Sequence, residues 1–206
     1  MPDRRFAALA VGLSLIAVPA RAHSPVPGIE GFYVGLVHPL TSPAQILALL
    51  AVGVFFGQRR DARPWLPVAV FACVCLAGVL AGLSGVTFDA AGPGLLLLAL
   101  LVATLAALWP LTPALPGLAA AGVAGLLTGL ESIPDPGPVR ATAITLSGTY
   151  IGAVVLLLYC IGGLMWVLDN ARWSWVPVAF RVAAAWVAAV AALLLALHFT
   201  AAGQAG

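Results

Sequence analysis

Residues 31–53 read GFYVGLVHPLTSPAQILALLAVG, an apolar run of membrane-crossing length interrupted at its centre by His38, Pro39, Thr41, Ser42, Pro43 and Gln45. A hydrocarbon core of about 30 Å takes roughly 20 residues of helix. Inside it no water is at hand to satisfy a freed backbone N–H or C=O. Proline has no N–H to donate and its ring crowds the preceding turn. A span carrying Pro39 and Pro43 therefore has to break, and the break has to face a cavity or neighbouring helices rather than lipid. This predicts a helical bundle around a discontinuous first span, with the break between His38 and Pro43 as the best place for a function.

The rest of the chain requires the same solvent. Hydrophobic residues make up 63% of 206 residues, charged residues only 8%, and the mean hydropathy is +1.11. That much apolar surface exceeds what a soluble core of this size buries, so the solvent is lipid. No polar stretch is long enough for a separate soluble domain. All nine basic residues are arginine and the net charge is +2, which gives no electrostatic footprint for nucleic acid. Cys73, Cys75 and Cys160 lie within apolar runs and read as soft packing residues. A Cys-x-Cys pair holds a soft metal only with further ligands nearby, and none is apparent.

MPDRR followed by FAALAVGLSLIAV has the basic start and short apolar core of an export signal, and Ala20-Arg21-Ala22 has the small-x-small form cut by signal peptidase. The expected division is a cleaved leader over 1–22 and one polytopic transmembrane domain over 23–206, with His23 as the mature amino terminus. Six further spans are expected near 29–57, 65–83, 94–108, 115–130, 141–168 and 176–200. The fold class is thus an all-α integral membrane protein, six helices in a compact bundle, the first broken at Pro39/Pro43.

Arginine placement orients it. With the amino terminus outside, Arg59, Arg60, Arg63, Arg172 and Arg181 fall on cytoplasmic connectors, and Arg140 alone falls outside with Asp89, Glu131 and Asp135. Both mature ends are then periplasmic, and the compartment is the bacterial inner membrane. Trp65, Trp109, Trp166, Trp173 and Trp175 fall near span ends, as interfacial indoles do. Gly78/Gly82, Gly125/Gly129 and Gly148/Gly152 have the i, i+4 spacing that lets helix backbones approach closely.

The stretch from Gly31 to Gly53 resembles the HupE/UreJ family of hydrogenase and urease accessory membrane proteins, regarded as nickel permeases. The shared positions are Gly31, Phe32, Gly35, His38, Pro39, Leu40, Leu47, Ala48, Ala51, Val52 and Gly53. The exported amino terminus with His23 and the plan of about six spans also resemble the family. The departures fall on the metal chemistry. Where the family carries an Asp-His pair, this chain has Ala44 and Gln45. Where it carries His-Gly-x-x-His-Gly-x-Glu, this chain has AGLLTGLE, with Ala124 and Thr128 in place of the histidines and only Gly125, Gly129 and Glu131 retained.

Nickel and cobalt prefer imidazole nitrogen supplemented by carboxylate. The resemblance therefore implies His38, Gln45 and Glu131 as remnant or altered ligands of a transported nickel or cobalt ion, with His23 able to add its amine and imidazole. His38 reads equally as a neutral histidine bonded to a carbonyl freed by the proline break. Glu30 and Glu131 read as solvated residues near the outer face, and His198 as interfacial. Thr142, Thr145 and Thr149 line one face of the fifth span, where hydroxyls usually bond back to their own helix.

Three functions follow from different classes. The resemblance implies a transition-metal permease tied to metalloenzyme maturation. The missing ligands favour a non-transporting subunit or scaffold, within a membrane complex or a homo-oligomer. Gly82-Leu83-Ser84-Gly85 has the Gly-x-Ser-Gly form of rhomboid intramembrane proteases, with His198 as a conceivable base. Ser84, however, falls at the outer end of its span, so no catalytic residue and no enzyme activity is assigned. The expected partners are the bilayer and a metal ion.

Overall fold

A computed structural model describes residues 31–59, 63–110, 112–134, 137–171 and 173–204. The expected leader, His23, Glu30, Arg60, Asp135 and Arg172 lie outside them. Seven helices follow one another, with no strand among the described residues: α1 (Phe32–Thr41), α2 (Pro43–Gly57), α3 (Trp65–Leu83), α4 (Ala91–Leu108), α5 (Ala114–Glu131), α6 (Val139–Asn170) and α7 (Val176–Gln204). Helices α3 to α7 are each long and apolar enough to cross a membrane, and α1 with α2 form a pair bent by 70°. Five of the expected spans are present as single helices, and the bent pair stands where the first was expected.

The bend falls at Ser42, not across the whole stretch from His38. A residue before proline is pushed out of the helical region, and Ser42 is extended at φ −86°, ψ 111°. It closes α1 by donating its N–H to the His38 carbonyl at 2.9 Å. It opens α2 by accepting from the Gln45 N–H, with Pro43 in the first turn where its missing N–H costs nothing. Pro39 departs from the expected role: it sits inside α1 and does not end it. Its ring is fully buried, and that packing offsets the helical hydrogen bond it removes.

Helix α2 is the centre of the bundle and packs on α4, α5, α6 and α7. Its sequence, PAQILALLAVGVFFG, is apolar on every side, which is how a helix buried all round reads. Every residue from Leu47 to Gly57 except Leu50 is buried. Close backbone contact holds the outer helices. A Cβ on Gly125 would lie 2.5 Å from the Phe71 carbonyl oxygen, and one on Gly129 would lie 2.4 Å from that of Cys75, so α3 and α5 touch along their backbones. Gly148 and Gly152 meet the backbone of Phe32 and Leu36 of α1 in the same way, whereas Gly53 and Gly57 make room for the side chains of Cys160 and Leu164. The glycine spacing thus did mark helix contacts.

Leu80, Leu101, Tyr159, Trp186 and Leu193 remain exposed on the outward faces, an arrangement suited to lipid. The two ends differ. At one, Arg181 donates to the Ala107 carbonyl, Gln58 to the Ala106 carbonyl and Arg59 to the Thr112 carbonyl, which satisfies backbone groups left over at the end of α4 and beyond. Trp65, Trp109, Trp166, Trp173 and Trp175 all lie exposed at this arginine end, Trp173 stacked on Trp175 with ring centroids 5.4 Å apart. Asp89, Glu131 and Arg140 lie at the opposite end.

Candidate functional site

The Ser42-Pro43-Ala44-Gln45 turn has the Ser-x-x-Gln spacing of a capping box, in which the glutamine side chain normally reaches back to the serine N–H. Here that N–H is already taken by His38. The Gln45 side chain is therefore released to point across the bundle, wholly buried at 0% exposure. Its Nε2 donates to Ser132 Oγ on the carboxy-terminal cap of α5 at 3.2 Å, and its amide also lies within hydrogen-bonding range of the Glu131 carboxylate.

Helix α5 supplies the facing wall. Thr128, Glu131 and Ser132 are spaced i, i+3 and i+4, hence one face. Thr128 is 1% exposed, and its carbonyl accepts both the N–H of Ser132, at 3.1 Å, and its hydroxyl, at 2.6 Å. Glu131 is half-buried. One of its oxygens, Oε1, faces Gly92 of α4, where an added Cβ would come within 3.2 Å, so the glycine leaves the carboxylate its room. Three buried oxygens here have no hydrogen-bond partner: Gln45 Oε1, Thr128 Oγ1 and Glu131 Oε2. Buried polar atoms are paired as a rule, and an unpaired group costs about 1–3 kcal/mol. Three together form a cluster of unpaired oxygens among apolar helices.

Two open cavities meet at Glu131, Gly92 and Pro93. One, of about 440 Å³, is lined also by Ser42, Pro43, Ala44 and His198. The other, of about 420 Å³, is lined by Gly82, Asp89 and Ile133 among others. The carboxylate thus stands between the interior cluster and the end of the bundle where Asp89 lies.

Of the expected site residues, Gln45 and Glu131 come together. His38 lies on α1, across the bend, and is not among the residues that line these two cavities. His198 on α7 lines the same cavity as Glu131, a placement that no local motif announces. Thr128 was noted only as a lost histidine, and Ser132 not at all, although the capping-box spacing and the i, i+4 repeat of α5 were there to read. Among the described residues no group of three His, Cys, Asp or Glu could hold a metal ion.

The other candidates resolve into packing and capping. The Ser84 hydroxyl donates to the Ala81 carbonyl at the end of α3, and Ser84 lines neither the cavity of His198 nor its neighbour. Cys73 is exposed while Cys75 is buried, so the Cys-x-Cys pair faces two ways. Thr149 bonds back to the Thr145 carbonyl and Ser147 to that of Ile144.

Apolar helices of membrane-crossing length around a broken central span define a multi-pass α-helical membrane protein with a polar cluster where the span breaks. The chain belongs to the HupE / UreJ protein family, whose model matches residues 11–199. That family comprises metal-ion accessory membrane proteins. Neither a curated protein nor a solved structure matches the chain.

Proposed function

We propose that the protein is a permease of the bacterial inner membrane that passes a metal cation across the bilayer by way of the polar cluster at the helix break, in support of metalloenzyme maturation. One observation carries this reading. The positions where the family places its metal ligands, Ala44 and Gln45 on α2 and Thr128 and Glu131 on α5, converge in space, with Gln45 bonded to Ser132 across 87 residues of chain. Irregular backbone and unpaired buried polar atoms between packed apolar helices suit a substrate path better than a packing seam. The leader cleaved after Ala22, the periplasmic location of both mature ends and the cytoplasmic placement of the arginine end belong to the same proposal. The gathering of Arg59, Arg63 and Arg181 with five tryptophans at one end supports it.

The test is metal uptake into proteoliposomes loaded with a fluorescent divalent-ion indicator. Uptake that falls at least about tenfold in Glu131→Gln supports the reading; no uptake above protein-free vesicles for any divalent ion refutes it. A second reading, a non-transporting subunit that keeps the bundle, is favoured by Ala44 and Ala124, buried at ligand positions with nothing to donate. It predicts no flux and a partner membrane protein that copurifies.

A further inference from the structure

We infer that the arginine end of the bundle holds the phosphate of an anionic phospholipid, in a pocket between the end of α2 and the starts of α3 and α5. This goes beyond the permease reading and does not depend on any ion crossing. A cavity of about 270 Å³ is lined there by Arg59 and Arg63 together with Phe56, Leu66, Pro67 and Leu118. Among the described residues no acidic side chain lines it. The connector that supplies both arginines, QRRDARP, carries three positive charges against one negative.

Arg59 is held in place before any ligand arrives. It is 9% exposed, donates through Nη2 to the Thr112 carbonyl, and stands with its guanidinium 5.1 Å from the centroid of the Phe55 ring. A guanidinium so fixed loses less rotamer freedom on binding, and its planar fork matches phosphate oxygens. Arg63 is exposed, one residue before the Pro64 cap of α3, and brings a second positive charge to the same cavity. The backbone adds to this field. Leu66 and Pro67 belong to the first turn of α3 and Ala114 opens α5, so both helices begin at the cavity. Neither first turn holds an acidic residue, and neither Pro64 nor Pro113 supplies a side-chain cap. Two positive dipole ends thus join two guanidinium groups, a setting that favours an anion.

The apolar part of the lining selects lipid over free phosphate. Phe56, Leu66, Pro67 and Leu118 set hydrocarbon beside the charges, where a hydrated inorganic ion loses water without a hydrogen bond in return. Trp65 and Leu115, each next in sequence to a lining residue, are exposed, and an outward indole marks headgroup depth. A pocket at the small end for ligands takes the phosphate and its glycerol and leaves the acyl chains on the outward face. Basic pockets between membrane helices bind acidic headgroups in this way.

The experiment uses the full chain in a neutral detergent, with phosphatidylglycerol, phosphatidylcholine and inorganic phosphate as separate probes. Native mass spectrometry reads bound lipid, and Tm reads all three. One phosphatidylglycerol should be retained per chain at concentrations at least about fivefold below those needed for phosphatidylcholine. Arg63→Gln and, independently, Arg59→Gln should each weaken it at least about fivefold. Arg63→Gln alters an exposed side chain, which keeps the test decisive should Arg59→Gln fail to fold. Arg181→Gln and Arg140→Gln remove the same charge outside the cavity and should change retention by less than about twofold. Equal retention of the two lipids overturns the inference. A loss in Arg181→Gln or Arg140→Gln as large as that in Arg63→Gln overturns it in favour of diffuse attraction. A Tm gain from inorganic phosphate as large as that from phosphatidylglycerol overturns it in favour of a free anion.

Discussion

Replacing Gly129 by alanine tests whether α3 and α5 are held by backbone contact. The added Cβ would lie 2.4 Å from the Cys75 carbonyl oxygen, 2.7 Å from the Val79 nitrogen and 3.0 Å from the Gly78 carbonyl carbon. These atoms are all backbone, so no side chain can swing aside, and the first contact is about 1 Å short of ordinary van der Waals distance. The helices must separate along a seam that also contains Gly78 and Gly125. Overpacking of this kind costs about 1–3 kcal/mol, against which alanine's better helix propensity returns up to about 1 kcal/mol. The expected net loss is about 1–2 kcal/mol, roughly a 5–30-fold fall in the folded-to-unfolded ratio. For a chain of this size that corresponds to a Tm lower by about 2–4 °C per kcal/mol. The control is Gly162→Ala in α6, where nothing lies within 4 Å of the new Cβ. It should be neutral or stabilising by up to about 1 kcal/mol. Thermal unfolding of both variants in one detergent, followed by the near-ultraviolet signal of the tryptophans, reads the difference. Equal Tm values for Gly129→Ala and Gly162→Ala would show that the close seam is not what holds the two helices.

Ser42→Ala removes the side-chain cap of α2 and should cost about 1 kcal/mol, seen as a lower Tm, whereas Ser42→Thr should recover most of it. His38→Ala should leave divalent-ion binding within about twofold of the unmodified chain, because His38 lines neither cavity at Glu131; a stoichiometric nickel site lost with it would reverse that assignment. Ala44→Asp combined with Gln45→His should raise nickel affinity at least about tenfold, since the backbone presenting both positions is buried and intact. Intact-mass analysis of membrane-purified protein should find a chain beginning at His23, and a reporter fused after Gly206 should be active in the periplasm only; Met1 retained would leave the leader uncleaved, and cytoplasmic activity would invert the orientation.

The sequence alone determined the membrane class, the spans and the existence of the break. These depend on local quantities: the length of each apolar run, the placement of Arg59, Arg63 and Arg181, and the incompatibility of the residue before Pro43 with helix. Hydrogen bonding in lipid is satisfied within a span, so such signals need no knowledge of neighbours. Local rules also failed locally: Pro39 looked like a second break, but its buried ring lets α1 run through it, and burial is a property of the assembled bundle. The glycine pairs announced close contacts but not their partners. Which helix each pair meets depends on how the chain returns, so Gly125 and Gly129 were matched to α3, and Gly148 and Gly152 to α1, only in three dimensions. The candidate site divides in the same way. Gln45 stood out as a polar residue inside an apolar run and Glu131 as one at the edge of another. Their meeting, the part played by Thr128 and Ser132, the room left by Gly92 and the placement of His198 were decided by tertiary packing. Residues 87 positions apart in the chain become partners through α2 crossing the bundle, and no sequence period records that crossing.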